Sequence, residues 1–232
     1  MIKNPLISII IPCYNEKNTI VRIIDKINKQ KIRKEIILVD DYSNDGTTEI
    51  IKKKIINKIT KVIFHKKNLG KGASIRSAKK FIKGDIVIIQ DADLEYDPND
   101  YKKLIKPIND FKADIVYGSR FVGSEGKRTL YFWNRVANYF LTTFSNICTN
   151  INLSDMETGF KCFKTSVIRS INLEENGFGF EPEVTAKLAK KKYKFYEVGI
   201  SYQGRTYEEG KKIRAIDGVK AIFCIIKYNF FT

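Results

Sequence analysis

The first half of the chain alternates short runs of β-branched residues with longer segments in which apolar residues recur every three or four positions. This alternation is typical of βαβ units, and it predicts an α/β fold with a mostly parallel sheet flanked by helices. The predicted strands are residues 6–11, 35–39, 61–64, 85–90 and 114–117. The predicted helices between them are residues 19–29, 47–56, 73–82 and 99–111.

The second half has a less regular pattern. Its predicted elements are a long amphipathic helix over 130–150, a strand over 161–163, a helix over 182–191, a strand over 195–202, a polar loop over 203–212 and a last helix over 216–230. A chain of 232 residues can bury roughly 70% of its unfolded surface around a single core. We therefore expect a single domain.

Polar side chains follow three of the predicted strands at the points where those strands end. These clusters are the segment 12–16, the pair Asp40 and Asp41, and the segment 91–93. Ligands of open α/β sheets bind beyond the carboxyl ends of the strands. The three clusters are therefore expected to converge on one crevice.

Two carboxylates one residue apart, Asp91 and Asp93, follow a fully apolar strand. Two such charges about 4 Å apart repel each other by roughly 4 kcal/mol at an effective dielectric constant of about 20, and a bound cation turns that repulsion into attraction. Mg²⁺ and Mn²⁺ prefer oxygen ligands and complete their coordination with water and substrate phosphates. The pattern indicates a divalent-metal site. A surface turn or a helix cap is the alternative, because Asp97 and Pro98 begin the next helix.

The composition narrows the possible partners. A formal net charge of +16 favours nucleic acid, an anionic membrane or a phosphorylated substrate as partner, although lysine-rich helix faces in solvent explain much of the same charge. The four cysteines lie far apart, unlike those of a zinc site or a disulfide-rich domain. His65 is the only histidine, which disfavours a His-based zinc site and a Ser-His-Asp hydrolase, and we interpret it as structural.

Several short motifs, in a fixed order along the chain, resemble those of family 2 glycosyltransferases. They are Ile9-Ile-Ile-Pro-Cys-Tyr-Asn-Glu16, Val39-Asp-Asp-Tyr-Ser-Asn-Asp-Gly46, Asn68-Leu-Gly-Lys-Gly72 and Asp91-Ala-Asp93. Later segments are similar to the dolichyl-phosphate mannose synthase and bacterial polyprenyl-phosphate glycosyltransferase branch, namely Gly118-Ser-Arg120, Thr158-Gly-Phe-Lys161 and Gly204-Arg-Thr-Tyr-Glu-Glu-Gly-Lys211.

This resemblance implies a GT-A (Rossmann-like) fold, an inverting transfer and a nucleotide-sugar donor. It covers essentially the whole chain, so residues 1–232 are expected to form one catalytic domain. A half that binds the nucleotide sugar would span about 1–120, and an acceptor-side half would span about 121–232.

The resemblance also implies roles for individual residues. The residues expected to line the base and ribose pocket are Pro12, Tyr14, Glu16, Val39 and Asp41, of which Asp41 would accept hydrogen bonds from the base. The residues expected to hold metal and diphosphate are Asp91, Ala92 and Asp93, with Glu95 as a further metal ligand. The residues expected to complete the donor site are Arg120, Arg205 and Lys211. Catalysis is expected to depend on Asp91, Asp93 and Arg120.

Basic residues near the predicted crevice are suited to phosphate. The Gly-rich segment 68–72 lacks the spacing of a P-loop. Its glycines would instead let the backbone approach a nucleotide, while Lys71 adds positive charge. A simple turn before a helix is the alternative. Arg205 and Lys211 stand six residues apart in the polar loop, where they would close over a diphosphate or would be ordinary loop charges.

On the acceptor side, Arg128 and Arg135 near the start of the long helix would position an acceptor phosphate. Four carboxylates are interpreted either as acceptor-side groups or as helix caps: Asp155, Glu157, Glu181 and Glu183. No general base is evident. An acceptor phosphate is already anionic and would need none.

These observations favour transfer from a nucleotide-diphosphate sugar, of the GDP-mannose or UDP-glucose type, to a polyprenyl or dolichyl phosphate. The metal and the basic residues would stabilise the charge on the leaving nucleoside diphosphate. A glycan or another soluble hydroxyl acceptor is the alternative. A nucleotidyltransferase is less favoured, and so is a nucleic-acid-binding module, because the chain has no zinc-finger or RNP-type signature.

The expected location is the cytoplasm, peripheral to the cytoplasmic face of a membrane. No secretory signal opens the sequence, and no apolar run reaches the ~20 residues needed to span a bilayer. Contact with the membrane would be direct or through a membrane-protein partner. The last helix has the amphipathic pattern of an interfacial helix, although core packing explains the same apolar residues.

Overall fold

The computed structural model describes residues 4–123, 128, 131–206, 208–210 and 215–232. Within them, one seven-stranded sheet is flanked by helices. Its strands are β1 (Ile7–Cys13), β2 (Lys34–Asp40), β3 (Lys61–Phe64), β4 (Ile86–Ile89), β5 (Ile115–Ser119), β6 (Lys161–Lys164) and β7 (Phe195–Gly199). The predicted α/β class, the single sheet and the five strands of the first half are confirmed.

The strands follow the spatial order β3-β2-β1-β4-β6-β5-β7. β6 runs antiparallel to both of its neighbours, β4 and β5. The other pairings are parallel, so the predicted mostly parallel sheet is confirmed. Because β6 from the second half of the chain lies between two strands of the first half, both halves share one continuous sheet.

The helices are α1 (Ile20–Lys29), α2 (Thr47–Ile50), α3 (Lys71–Lys79), α4 (Tyr101–Asp110), α5 (Phe132–Thr149), α6 (Thr165–Arg169), α7 (Phe180–Lys190) and α8 (Ala215–Phe230). The sequence pattern did not predict α6. The helix predicted over 47–56 begins as α2 and then continues as a wider π turn over Ile51–Ile55 and a tighter 3₁₀ turn over Ile56–Lys58.

Burial on both faces explains why β4 is apolar at every position and why β1 is apolar at nearly all of its positions. In β1, Ile9 and Ile11 pack on one side of the sheet in the same cluster as α1 and α4. Ile10 points to the other side and joins the cluster that contains α3 and α7. Each such isoleucine is fully buried, and removing its side chain from water stabilises the fold by about 1.5–3 kcal/mol.

The strand predicted over 195–202 is shorter than expected. β7 ends at Gly199, and Tyr202 instead forms an isolated bridge with Tyr96. A backbone hydrogen bond of 3.0 Å, from Gln203 N–H to the Glu95 carbonyl oxygen, follows this bridge. The chain after β7 is thereby directed across the carboxyl end of β4, towards the aspartates that follow it.

Candidate active site

The carboxyl ends of β1, β2 and β4 lie side by side, as the sequence predicted. In the parallel register, Pro12 stands opposite Val39 and Ile10 stands opposite Ile89. The loops beyond β1 and β2 are cross-linked, because Asn15 N–H donates to Ser43 Oγ at 2.9 Å. The predicted convergence of polar strand ends on one crevice is therefore present.

Each of the three strand-end loops contains a non-glycine residue with a left-handed backbone. The φ values are 52° for Asn15, 65° for Tyr42 and 69° for Leu94. Such a conformation is unfavourable for bulky side chains such as tyrosine and leucine, and it persists only where surrounding contacts enforce it. All three strand ends at this edge of the sheet therefore hold a backbone conformation that the surrounding contacts must enforce.

Asp41 ties the loop beyond β2 to the Gly-rich segment. Its buried carboxylate accepts hydrogen bonds from Leu69 N–H at 2.9 Å and from Gly70 N–H at 2.7 Å. His65 Nδ1 lies 2.6 Å from Asp41 Oδ1, and His65 Nε2 lies 2.9 Å from Ser77 Oγ. A carboxylate can accept about four hydrogen bonds, so Asp41 has room for a further N–H from a nucleotide base, and that role stays a prediction.

The remaining residues of the expected base and ribose pocket differ in accessibility. Pro12 and Tyr14 are half-buried at the end of β1, whereas Glu16 is buried. Val39 is completely buried in the core, and Ala92 is nearly so. Contacts of Val39 and Ala92 with a ligand would therefore have to use their backbone atoms.

Asp91 is paired with a buried lysine. Lys71 Nζ lies 2.9 Å from Asp91 Oδ1 and 2.9 Å from Glu181 Oε1. Burial alone would lower the pKa of Lys71, but the carboxylates of Asp91 and Glu181 outweigh it and raise the pKa above its ordinary value. Lys71 is thus a fixed positive charge beside Asp91. The sequence analysis left Glu181 open between an acceptor-side group and a cap; its proximity to Lys71, 110 positions away, has no local signature.

Asp93 is paired with Arg205 from the polar loop. Arg205 Nη2 lies 3.1 Å from Asp93 Oδ2, and the guanidinium also contacts both carboxylate oxygens of Glu16 at 3.1 and 3.2 Å. Burial, together with the nearby charges of Glu95 and Asp91, raises the pKa of Asp93 to about 7, and Arg205 opposes this shift. The structure thus brings Arg205 into the crevice, as the sequence analysis expected.

Glu95 lies beside the two aspartates and makes contacts of its own. Its carboxylate accepts hydrogen bonds from the Tyr202 hydroxyl at 2.9 Å and from Arg205 N–H at 2.9 Å, so it anchors the loop after β7. Among the residues that the structure describes, no three His, Cys, Asp or Glu side chains form a group that could hold a metal ion. The role of Glu95 as a further metal ligand stays a prediction.

Asp91 and Asp93 still fit a divalent cation that takes most of its ligands from elsewhere. Both offer carboxylate oxygens at the same edge of the crevice, and each already stands beside a cation of the protein, Lys71 or Arg205. Mg²⁺ commonly binds one or two carboxylates and fills its shell with water and substrate phosphates. The cap of the short 3₁₀ turn Pro98–Asp100 that precedes α4 is Asp97, whose carboxylate accepts from Asn99 N–H at 2.9 Å. Asp93 accepts from Glu95 N–H at 3.0 Å, so it also stabilises the turn after β4.

Arg120 forms a bidentate ion pair with the buried Asp155. Arg120 Nε and Nη2 each lie 2.7 Å from one oxygen of that carboxylate. Burial would raise the pKa of Asp155, but the Arg120 charge lowers it below the ordinary value. The guanidinium carbon of Arg120 lies 5.4 Å from the ring centre of Tyr202, which places it beside the loop that carries Arg205.

The segment after Asp155 lies directly against the aspartates. A Cβ atom at Gly159 would stand 2.3 Å from Asp91 Oδ2 and 2.9 Å from Lys71 Nζ, so a larger residue would force these side chains or the loop to shift. Gly159 N–H also donates to the Tyr96 hydroxyl at 2.9 Å. This segment from the second half of the chain therefore lines the crevice together with the strand ends.

Two buried carboxylates and a buried lysine lie behind this segment. Lys161 Nζ donates to the carbonyls of Met156 at 2.8 Å and Thr158 at 2.5 Å. Within the described part of the chain, Glu157 Oε1 and Glu181 Oε2 are buried without a hydrogen-bond partner. Burial, reinforced by the charge of Glu181, raises the pKa of Glu157 to about 8, and burial lowers the pKa of Lys161.

The other expected phosphate-binding residues lie at the edge of the site. Arg128 Nη1 donates to the Gly204 carbonyl at 3.1 Å and to Glu209 at 2.7 Å, so it braces the loop that carries Arg205. Arg135 is exposed in the first turn of α5, with its guanidinium carbon 5.9 Å from the ring centre of Phe121. Lys211 lies outside the residues that the structure describes.

Comparison with known proteins agrees with this geometry. The family model described as glycosyl transferase family 2 matches residues 8–171. The chain is 29% identical over 232 residues to a dolichol-phosphate mannosyltransferase of Pyrococcus furiosus, with 96% of this chain and 64% of that protein covered. It is 27% identical over 218 residues to an undecaprenyl-phosphate mannosyltransferase of Micrococcus luteus, with 90% and 88% covered.

Solved structures show the same fold at low sequence identity. A crystal structure of glucosyl-3-phosphoglycerate synthase from Mycobacterium tuberculosis, in complex with Mn²⁺, UDP and phosphoglyceric acid, has a TM-score of 0.75 and 17% identity to this chain. The match covers 98% of this chain and 80% of the other. A second structure of that enzyme, with Mg²⁺ and UDP, has a TM-score of 0.72. The GT-A fold expected from the sequence motifs is therefore confirmed.

Proposed function

Because the chain belongs to glycosyl transferase family 2, we propose that it transfers a hexose from a nucleoside-diphosphate sugar to a polyprenyl phosphate, with inversion at the sugar carbon. The observation that carries the proposal is the pairing of Asp91 with Lys71 and of Asp93 with Arg205 at the carboxyl end of β4. Two carboxylates for a cation and two cations for phosphate oxygens then lie in one crevice. This is the set of charges that a metal-bound diphosphate requires.

The names of two similar proteins support the proposed sugar donor and the proposed lipid acceptor. A dolichol-phosphate mannosyltransferase and an undecaprenyl-phosphate mannosyltransferase match nearly the full length of this chain. A mannosyl donor and a polyprenyl-phosphate acceptor are therefore our first choice. An acceptor at a lipid surface also implies that the protein works peripherally at a membrane.

In the proposed reaction, Asp91 and Asp93 would hold Mg²⁺ or Mn²⁺. When bound, the metal would neutralise charge on the diphosphate as the bond to the sugar breaks. Arg205 would exchange its contacts with Glu16 and Asp93 for oxygens of the diphosphate, which binds a guanidinium in two-pronged fashion. Lys71 stays charged beside Asp91 and adds a point charge to the same group.

The acceptor needs orientation more than activation. A phosphate monoester is anionic at neutral pH, so its oxygen can attack the sugar without a general base. Arg120, held by Asp155, lies beside the loop of Arg205 and is suited to orient that phosphate, with Arg128 and Arg135 at the rim. Aligning two reactants in this way accounts for a large part of the rate of bimolecular transfers.

The experiment that tests the proposal is a transfer assay with radiolabelled GDP-mannose and UDP-glucose, each with Mn²⁺ or with a chelator. The acceptors are a short-chain polyprenyl phosphate, a soluble glycan and phosphoglycerate. We expect label only in the lipid product, extractable into organic solvent, and only with metal. Label confined to a soluble acceptor would replace the lipid acceptor, and full transfer in chelator would remove the metal from the proposal.

A further inference from the structure

Helix α5 turns most of its large apolar side chains away from the protein. Its buried positions are Leu141, Thr142 and Ser145, whereas Trp133 is 75% exposed, Tyr139 73% and Ile147 74%. The exposed large apolar residues of α5, here called the aromatic face, are Phe132, Trp133, Val136, Tyr139, Phe140 and Ile147. At about 100° of rotation per residue they occupy one stripe roughly 120° wide, opposite the buried side.

Polar contacts explain why the other side of α5 faces inward. Thr142 Oγ1 accepts from Met156 N–H at 3.2 Å, and Asn138 Nδ2 donates to Asp155 Oδ1 at 3.3 Å. Asn146 also bonds both backbone groups of Leu153, at 2.7 and 3.1 Å. Hydrogen bonds to the acceptor-side loop thus fix the orientation of the helix. The aromatic face is left outward, and such contiguous exposed apolar patches mark interaction sites.

The neighbouring helix α8, which packs on α5, carries a second exposed stripe. Its apolar members are Ile216, Val219, Phe223 and Phe230. Lys220 and Lys227 are exposed next to this stripe, one turn after Ile216 and Phe223. Lys227 also forms ion pairs with Glu174 and Glu175. Apolar side chains interspersed with lysine are typical of a helix that lies in the interface of an anionic membrane.

We propose that the aromatic face and the exposed stripe of α8 dock onto the surface of an anionic lipid bilayer. Charge favours this occupant over a second copy of the chain, because two copies with a net charge of +16 each repel one another. Arg135 is the one charged residue in α5, so no acidic side chain of that helix opposes anionic headgroups. Tryptophan and tyrosine are also the residues enriched at the level of lipid headgroups.

Docking in this way would bring the active site to an acceptor embedded in the bilayer. This purpose of the surface rests on the lipid acceptor of the proposed function. The inward side of α5 reaches Asp155 through Asn138, and Asp155 holds Arg120. A bilayer against the outward side would lie one helix away from the expected phosphate site. Among the described residues no helix is both long and apolar enough to cross a membrane.

The test uses the only tryptophan of the chain, which is Trp133 in the aromatic face. Its fluorescence emission is recorded while vesicles of phosphatidylcholine, with or without phosphatidylglycerol, are added to the full chain. We expect a blue shift and quenching by brominated acyl chains with the anionic vesicles, reduced by salt. Tyr139→Ser with Ile147→Ser, or Phe223→Ser alone, should weaken vesicle binding at least about tenfold.

Phe111→Ser is the matched control, because Phe111 is 55% exposed but lies at the end of α4, outside both stripes. It should leave vesicle binding unchanged. Emission of Trp133 that does not respond to anionic vesicles overturns the proposal. A blue shift that grows with protein concentration in the absence of lipid, together with a dimer in sedimentation, also overturns it and assigns the face to a second copy.

A transfer assay in detergent with a short-chain polyprenyl phosphate separates this proposal from the proposed function. Variants of the two stripes should keep their activity there, because detergent replaces the bilayer. Vesicle binding without transfer to any polyprenyl phosphate supports the docking surface and refutes the lipid acceptor. Transfer in detergent without a response of Trp133 to vesicles supports the acceptor and refutes the docking surface.

Discussion

Arg205 and Glu16 are 189 positions apart in the sequence, yet the guanidinium of one lies 3.1 and 3.2 Å from the two carboxylate oxygens of the other. This contact holds the loop after β7 over the end of β1. It also means that the main cation expected to bind the diphosphate is occupied by protein carboxylates before the donor arrives. Donor binding is thereby an exchange of partners for Arg205.

We predict that Arg205→Ala weakens binding of a nucleoside diphosphate in the presence of Mn²⁺ by roughly 1–3 kcal/mol, the usual range for hydrogen bonds to charged groups. The measurement is titration calorimetry. Arg33→Ala is the control, because Arg33 is exposed just before β2, at the opposite edge of the sheet. Equal affinities for the Arg205 variant and the unmodified protein would show that the loop only connects β7 to α8.

Asp91→Asn and Asp93→Asn should each abolish sugar transfer while the protein stays folded. The reason is that each removes a negative charge from the expected metal site without changing side-chain volume. Stability should fall for Asp91→Asn, which removes one of the two carboxylates beside the buried Lys71. For Asp93→Asn it should rise, because burial and the charges of Glu95 and Asp91 oppose ionisation of Asp93. Thermal unfolding and the transfer assay are measured on the same samples. Retained activity of both variants in chelator contradicts a metal role.

Gly159→Ala should impair the site through packing alone. The added Cβ would stand 2.3 Å from Asp91 Oδ2, so either the carboxylate or the loop must shift. We expect a loss of about 1–3 kcal/mol in unfolding free energy, typical of overpacking, together with reduced transfer. Gly218→Ala is the control: nothing lies within 4 Å of its Cβ position in α8, and alanine should stabilise the helix by about 0.5–1 kcal/mol. Identical behaviour of the two variants would contradict the close contact.

Glu157 should make stability depend on pH. Its pKa is raised to about 8, while an unfolded glutamate titrates near 4.5. Between these values the folded protein holds a proton that the unfolded chain has released, so the contribution of Glu157 is fully present below about 4.5 and is lost as pH rises towards 8. Glu157→Gln should flatten the decline of unfolding free energy across that window. Chemical denaturation at a series of pH values measures it, and parallel curves for the two proteins would refute the prediction.

Local patterns in the sequence were sufficient for the strands that carry the site. Runs such as that of β4 are apolar at every position because both faces are buried, and the polar residues after them mark the functional edge. The antiparallel direction of β6 was not predictable in this way, because pairing between strands depends on partners far away in the chain. For the same reason, the ion pair of Lys71 with Glu181 was not predictable from the sequence.

Glu95 and α5 show a second limit of pattern reading. Glu95 follows the two aspartates closely in the sequence, but no local pattern predicted that its carboxylate would contact Tyr202, more than a hundred positions away. The amphipathic pattern of 130–150 correctly predicted a helix, but periodicity does not say which side faces the core. In α5 the hydrogen bonds of Asn138 and Asn146, together with the burial of Leu141, fix which side faces inward, and most of the large apolar side chains are left outward.

The position of β6 sets the order in which the chain can fold during synthesis. β4 pairs on one side with β6, and β5 has β6 and β7 as its neighbours. A nascent chain that has emerged only as far as Ser119 therefore carries β5 with neither neighbour yet made, and an unpaired strand edge is a template for aggregation. By contrast, β1 to β4 pair among themselves once the chain has emerged as far as Ile89. The sheet is therefore assembled in two stages, and β5 is the strand that needs protection until β6 and β7 have left the ribosome.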